Sequence, residues 1–291
     1  MNSVFAWRSM LFVPVTNERF IQSALRRPAD ALQLDLEDSI ALEHKEEARH
    51  RVAEVAKRCR DNNYDVIVRV NRPWRMLVRD IEASVCESVQ ALTLPKVPNA
   101  EFVQAVAEIV DEVETEKGMP VGSTRFIVMI EDVEGLHNMH RIAAAHPRIC
   151  GMIVGAEDLA VSMQMAVDAD SLYVPNVMAV AACRRAGIAP IGFVGSVADF
   201  ADEQEFKKVV ERAARLGFEG AFCIHPAQVA LANSAFSPTE SAVERAKALI
   251  NKFEEEKALG RAACTFEGRM VDAPVVKQAL RLIEKGRVFG L

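Results

Sequence analysis

Eight short apolar, β-branched segments alternate with longer segments of helical period along this 291-residue chain, which predicts an α/β fold: a closed (β/α)8 TIM barrel with a C-terminal helical extension. Two further observations point the same way. The short segments are hydrophobic without alternation, as parallel strands are when helices cover one side and a barrel interior fills the other. The length also accommodates one barrel of about 250 residues. The competing arrangement is an open, doubly wound sheet, but no GxGxxG follows the first strand, so its dinucleotide-binding form lacks the phosphate loop.

In chain order, strands are expected at residues 10–13, 31–34, 66–70, 91–94, 126–130, 151–154, 190–194 and 220–224. Between the fourth and fifth, Phe102, Val106, Ile109, Val110 and Val113 fall on one face of a helix that Gly118 stops. A second helix, starting near Ala201, carries Phe206, Val209, Val210 and Ala213 and ends at Gly217. A long charged helix begins at Ser237–Pro238–Thr239–Glu240, with Thr239 or Ser237 as cap and Pro238 in its first turn, and ends near Gly260. The sequence therefore divides into a barrel core, 1–235, and a part comprising the final helix and an extension, 236–291, which packs on the barrel or covers a mouth, its own or a neighbour's.

The formal charge of −6, with no long Lys/Arg block, argues against nucleic acid as a partner. No apolar run is long enough to span a bilayer, and Arg8 interrupts the first apolar stretch, which fits neither a span nor a signal peptide; a cytoplasmic location is expected. Cys59, Cys86, Cys150, Cys183, Cys223 and Cys264 lie far apart without a CxxC pair and read as free buried thiols.

In a barrel, polar residues at the C-terminal strand ends face the active site. That rule gathers Asp35, Glu37 and Asp38 after the second strand, Arg69 and Asn71 at the third, Lys96 at the fourth, Glu131 at the fifth, and Glu157 and Asp158 at the sixth. Two carboxylates with open positions, Glu131 and Asp158, suit Mg²⁺; the competing reading makes them loop acids at helix N-termini. Arg69 ends an apolar strand, so its guanidinium either pairs with Asp35 or Glu37 or faces a substrate carboxylate or enolate oxygen. The three acids of the second strand end need cations, Arg69 or Lys96, or metal-bound waters. His137 and His140 read as surface residues, His225 as a packing or hydrogen-bonding residue near the pocket, and Trp7 and Trp74 as core or subunit contacts. No GxSxG setting surrounds Ser39 or Ser162, so a nucleophilic hydrolase is not indicated.

Nine segments in order, RSMLFVP (8–14), LDLEDS (34–39), VRVN (68–71), LPK (94–96), MIEDVEG (129–135), GAEDL (155–159), GFEGAFCIHPAQ (217–228), FSPT (236–239) and GRMVDAP (268–274), resemble the HpcH/HpaI aldolase family. The branch resembled is the citrate lyase beta subunit-like one, with malyl-CoA and citramalyl-CoA lyases. The resemblance implies a Mg²⁺-dependent barrel, with Mn²⁺ as a substitute, assembled as a homotrimer or hexamer. It implies Glu131 and Asp158 as metal ligands, Arg69 as the enolate-stabilising residue, and Asp272 as an acid or base donated across a subunit boundary. Glu37 and Asp38 join Arg69 and Asp272 as catalytic candidates, and Arg8 and Lys96 are candidates for holding the coenzyme A thioester.

The implied reaction is cleavage or condensation of a malyl-, citramalyl- or citryl-type acyl thioester, giving a 2-oxo acid and an acetyl thioester. Alternatives are a citrate lyase beta subunit acting on citryl-acyl carrier protein, an acyl-CoA thioesterase of the same family, and a non-catalytic binding or scaffold subunit. Two departures from the family pattern stand out: Val15 where Gly is frequent, and Asp132 where Thr usually follows the metal glutamate.

Overall fold

The computed structural model describes residues 5–196 and 202–291. Its strands are β1 (Ser9–Pro14), β2 (Ala31–Asp35), β3 (Asp65–Arg69), β4 (Ala91–Leu94), β5 (Arg125–Ile130), β6 (Ile149–Val154), β7 (Ala189–Ile191), β8 (Ala221–Cys223), β9 (Cys264–Phe266) and β10 (Arg269–Val271). Its α-helices are α1 (Glu18–Ala24), α2 (Lys45–Asp61), α3 (Trp74–Ser84), α4 (Ala100–Glu116), α5 (Val133–Ala143), α6 (Ala156–Met163), α7 (Tyr173–Ala186), α8 (Glu203–Leu216), α9 (Pro226–Phe236), α10 (Glu240–Ala258) and α11 (Ala273–Val288).

Parallel pairing runs without interruption from β7 back through β1 to β8. A parallel bridge between Ile191 and Gly220 then joins the two ends, which closes the barrel. Each of the eight expected strand segments falls on one of these strands. The seventh and eighth are shorter than expected for local reasons. Gly192 turns to φ +121° after Ile191, and the amides of Ile224 and His225 donate to the Gln228 side chain instead of a neighbouring strand.

Alternate strand residues separate two layers, because side chains in a strand point to opposite faces. Leu32 and Leu34, Val66 and Val68, Leu92 and Leu94, and Phe126, Val128 and Ile130 join the helices in one large core. The intervening residues face the barrel interior, where Thr93 Oγ1 donates to Gln33 Oε1 at 2.9 Å. Asp35 and Arg69 share the interior parity of Gln33 and Ile67, and Glu131 continues that of Ile127 and Met129.

The helices follow the predicted pattern. In α4, Phe102, Val106, Val110 and Val113 are buried, Ile109 is partly so, and Asn99 caps the first turn at Phe102. Phe206, Val210 and Ala213 are buried in α8, which Gly217 ends at φ +102°. The expected start near Ala201 lies outside the described residues; Asp202 caps the helix.

Contacts divide the chain into two compact units, Trp7–Phe236 and Ser237–Leu291, the latter with Phe5 and Ala6. In the second, Ala246, Leu249 and Phe253 of α10 pack with Val271, Val276 and Ala279. Thr239 caps α10, so Pro238 precedes the cap and does not sit in the first turn. Glu267 and Gly268, both at positive φ, make the two-residue turn between β9 and β10. Gly268 is thus part of a tight hairpin. Among the described residues, no helix is long and apolar enough to cross a membrane.

Barrel closure makes a specific demand at Gly220, where a Cβ would lie 2.1 Å from the backbone oxygen of Trp7. The obstacle is backbone, so no rotamer change relieves it. Gly220→Ala is therefore expected to cost about 3 kcal/mol and to lower Tm by roughly 10 °C in thermal unfolding. An unchanged Tm would show that the strand ends accommodate the methyl group.

Candidate active site

At the C-terminal ends of the strands lies a cavity of about 860 Å³ whose walls include Phe12, Asp35, Asp38, Arg69, Glu131 and Asp158. Its chemistry begins with the strand register. Asp35 stands opposite Arg69 in the β2–β3 ladder, and Arg69 grips it bidentately, Nε to Oδ1 at 2.7 Å and Nη2 to Oδ2 at 2.8 Å. The remaining end of the guanidinium, Nη1, lies 3.0 Å from Glu37 and 3.3 Å from Asp38. The Phe12 ring lies 4.7 Å from the guanidinium carbon. The choice between structural pairing and a place in the cavity is thus met by both.

The loop after β2 is held from several sides. Asp35 accepts from the amides of Glu37 and Ser39, both at 3.0 Å. Buried Lys45, at the start of α2, donates to the carbonyls of Leu36 and Glu37 at 2.7 and 2.6 Å. Asn71 also donates to Leu36, and buried Asp80 ties Asn71 to Arg49.

These surroundings set the carboxyl groups apart. Burial raises the pKa of Asp35, but the hydrogen bonds and charge of Arg69 outweigh it and hold the group below its ordinary value. Glu37 behaves oppositely. Burial, with Asp38, Glu131 and Asp35 nearby, outweighs its contact with Arg69 and pushes it up to about 8. Arg69 itself is raised, its burial offset by hydrogen bonds to Asp35 and by the surrounding acids.

Glu131 follows β5 and is only 6% exposed. Its Oε2 accepts from the backbone amide of Lys96 at 2.8 Å. The side chain lies against Gly155, where a Cβ would come within 2.5 Å of Oε1 and 2.6 Å of Cγ. Gly155 therefore leaves the space that the carboxylate fills. Burial pushes Glu131 up to about 7; the Lys96 amide opposes this and Asp158 adds to it. Asp158, in the first turn of α6, is half-buried and pairs with Lys96 Nζ at 3.2 Å.

Two converging carboxylates, one buried and incompletely neutralised, suit a hard divalent cation that keeps water or substrate oxygens as its other ligands. Among the described residues no group of three or more His, Cys, Asp or Glu is placed to hold a metal ion, so Glu131 and Asp158 are a pair and not part of a larger cluster.

The rim thus brings together Arg69, Glu37, Asp38, Glu131, Asp158 and Lys96. Arg8 is a correction: it precedes β1, at the opposite end of the strand from the cavity, and its guanidinium is engaged by Asp30 at 2.7 and 2.8 Å. Asp272 belongs to the second compact unit, where it caps α11 by accepting from the Val275 amide at 3.4 Å. His225 lines the cavity and its Nδ1 accepts from Ala227. His137 and His140 are exposed on α5. Trp7 is buried and donates to Asp65, while Trp74 packs on Phe102.

Both departures from the family pattern have local explanations. Val15 is fully buried in the main core. Asp132 caps α5, accepting from Gly135 at 2.7 Å, and Thr also serves as an N-cap, so the substitution preserves that task.

Sequence reasoning missed Arg19 in α1 and Arg27 just after it, which line the cavity, and also Lys45 and the space-making role of Gly155. Only Gly155 left a signal, as the first residue of the GAEDL segment.

Residues 8–226 match the family described as HpcH/HpaI aldolase/citrate lyase. The chain is 33% identical to a citrate lyase subunit beta from Leuconostoc mesenteroides subsp. cremoris, over 98% of this chain and 94% of that protein. It is also 33% identical to an L-malyl-CoA/beta-methylmalyl-CoA lyase from Rhodobacter capsulatus, over 97% and 95% of the two chains. A similar solved structure is protein CitE from Mycobacterium tuberculosis in complex with magnesium, acetoacetate and coenzyme A, with a TM-score of 0.74, 26% identity and coverage of 97% and 98%. With the closed barrel and the acid-rich strand ends, these matches establish that the chain belongs to the HpcH/HpaI aldolase/citrate lyase family.

Proposed function

We propose that this chain is a divalent-metal-dependent carbon–carbon lyase that cleaves or condenses a malyl-, citramalyl- or citryl-type acyl thioester. The observation that carries the reading is the convergence of Glu131 and Asp158 beside Arg69 in one cavity of a chain of this family. The named relatives are a citrate lyase beta subunit and a malyl-CoA lyase, and CitE holds magnesium and coenzyme A, which supports Mg²⁺ with a coenzyme A thioester here.

Glu131 and Asp158 would hold Mg²⁺ or Mn²⁺, which when bound supplies Lewis-acid polarisation of substrate oxygens. In cleavage, the substrate hydroxyl gives up its proton to the Asp272 carboxylate and the carbon–carbon bond breaks. The bond's electron pair becomes a thioester enolate, which takes up a proton to give the acetyl thioester, leaving a 2-oxo acid. Arg69 offsets the enolate charge, and its bidentate bond to Asp35 holds the fork in place beforehand. Exposed Asp38, at 3.3 Å, is the partner that Nη1 releases most readily to a substrate oxygen. Glu37, pushed up to about 8, carries a proton at neutral pH and can deliver it.

Asp272 is a second proton-handling group, contributed by a neighbouring subunit of a homotrimer or hexamer, with residues 236–291 as the subunit-contact extension of a 1–235 barrel core. The protein works in the cytoplasm in this reading. A second reading, citryl-acyl carrier protein as substrate, is favoured equally by identity, since both named relatives stand at 33%.

Three measurements test this. Calorimetric Mg²⁺ affinity is expected to rise from about pH 6 to pH 8 and then level, because the metal displaces a proton from Glu131, whose pKa is about 7. Below that pKa the slope approaches about tenfold per pH unit, and Glu131→Gln loses both the slope and most of the affinity; equal affinities in parent and variant reject the ligand assignment. With Mg²⁺, a panel of malyl, citramalyl and citryl thioesters of coenzyme A and acyl carrier protein should yield glyoxylate, pyruvate or oxaloacetate from one of them. Arg69→Ala should lower kcat by at least about a hundredfold, and silence of the metal-loaded parent across the panel rejects the lyase. Asp272→Asn keeps a capping oxygen, so α11 should stay intact while the acid is lost. Mixed oligomers of Asp272→Asn and Arg69→Ala chains are expected to regain activity that neither parent has; confirmed mixed oligomers without recovery reject a shared site.

A further inference from the structure

Lys96 touches both acids of the metal assignment. Its backbone amide donates to Glu131 Oε2 at 2.8 Å, and its ammonium lies 3.2 Å from Asp158 Oδ2. The residue follows β4 in a left-handed conformation, φ +50°, which is uncommon for a residue with a side chain of this size. A neighbour secures that conformation: Arg72 Nε donates to the Lys96 carbonyl at 3.1 Å, and its guanidinium carbon lies 4.1 Å from the Phe102 ring centre. Backbone strain of this kind persists only where the surroundings enforce it.

The two contacts differ in strength. The amide–Glu131 bond is largely buried, whereas the Lys96–Asp158 pair is half exposed, with side-chain exposures of 39% and 42%. Exposed ion pairs are weak because water competes for both charges. A divalent ion brings twice the charge to the same carboxylate and bonds to it directly, so it wins that competition.

We propose that the Lys96 ammonium is a stand-in cation at Asp158: it holds this acid while the metal is away and yields it when the metal binds, whereas the Lys96 amide keeps Glu131 aimed in both states. Lys96 is then a positioning residue that sets the metal affinity of the site. The proposal rests on Glu131 and Asp158 being the metal's ligands. It also gives binding an order, because the ammonium, once released, adds positive charge at the rim only after the metal has arrived.

The test is calorimetric Mg²⁺ titration of the full-length chain without substrate, for Lys96→Met, Lys96→Arg, Asp158→Asn and the Lys96→Met/Asp158→Asn pair. Lys96→Met removes the competing cation and is expected to bind Mg²⁺ up to roughly fivefold more tightly. Lys96→Arg restores a cation and should return the affinity to that of the parent. Asp158→Asn should bind more weakly, and in its background Lys96→Met should add nothing, since the contact it removes is already gone. If Asp158→Asn weakens binding but folded Lys96→Met binds no more tightly than the parent, the stand-in role is overturned and the metal assignment survives. If Asp158→Asn binds like the parent, the assignment fails and the proposal with it. Lys96→Asn, which tolerates φ +50°, replaces the Met variant should that chain not fold.

Discussion

Asp35 and Arg69 meet because β2 and β3 pair in a register that sets them side by side on the interior face of the barrel. A slip of one residue would turn both to the helical layer, where Leu34 and Val68 now pack, and would leave two charges in an apolar core. The register is therefore fixed by hydrophobic burial, while the pair contributes direction. Once Asp35 occupies two donors of Arg69, the third edge of the guanidinium points to Glu37 and Asp38. The Lys45 and Asn71 contacts to the Leu36–Glu37 backbone act on the same arrangement from below.

Two buried glutamates show what separates a structural acid from a reactive one. Glu114 accepts from the amides of Gly122 and Thr124, from the Ser123 hydroxyl and from Arg148. Those bonds overcome the effect of burial and hold its pKa down at about 2. At Glu131 a single amide, that of Lys96, is set against burial and the nearby Asp158 charge; it does not overcome them, and the group rises to about 7. A carboxylate so placed stores a preference for a positive charge, which a proton or a metal ion satisfies. Gly155 makes the placement sterically possible.

The barrel was legible because its signal is repeated: eight unalternated apolar segments and intervening helices each carry the same information, and errors at one do not propagate. The strand-end rule located Arg69 and Glu131 for the same reason, since strand parity and strand end together determine where a side chain points, whereas Asp158 lies past the end of β6 in the first turn of α6. Arg8 escaped that logic because it lies before β1, not after it, and a motif read without its strand direction carries no such distinction. Lys45 and Arg19 sit on helices and Arg27 in the turn after α1, where a side chain's reach toward the site depends on helix rotation and loop length. Asp132 showed a further limit. Its type stood out against the family pattern, but only the start of α5 revealed that Asp and Thr are interchangeable there as caps.

Charge balance at the rim orders the events that the site can support. Asp35, Glu37, Asp38, Glu131 and Asp158 stand near Arg69, Lys96 and Lys45, and Arg19, Arg27 and Glu157 also line the cavity. Burial first, and the neighbouring acids after it, raise Glu37 to about 8 and Glu131 to about 7, so both hold protons more readily than an ordinary carboxylate. A 2-oxo acid or its thioester precursor brings a further carboxylate and, entering alone, would raise these pKa values again at the expense of its own binding. A divalent ion held by Glu131 and Asp158 would act in the opposite direction: it would favour the ionised form of Glu131, lower the field felt by Glu37 and add positive charge where the substrate carboxylate enters. In the proposed chemistry a metal bound first would thus favour entry of the substrate, and the proton carried by Glu37 would be held less tightly once the metal is in place, which is the condition an acid needs to deliver a proton within the reaction.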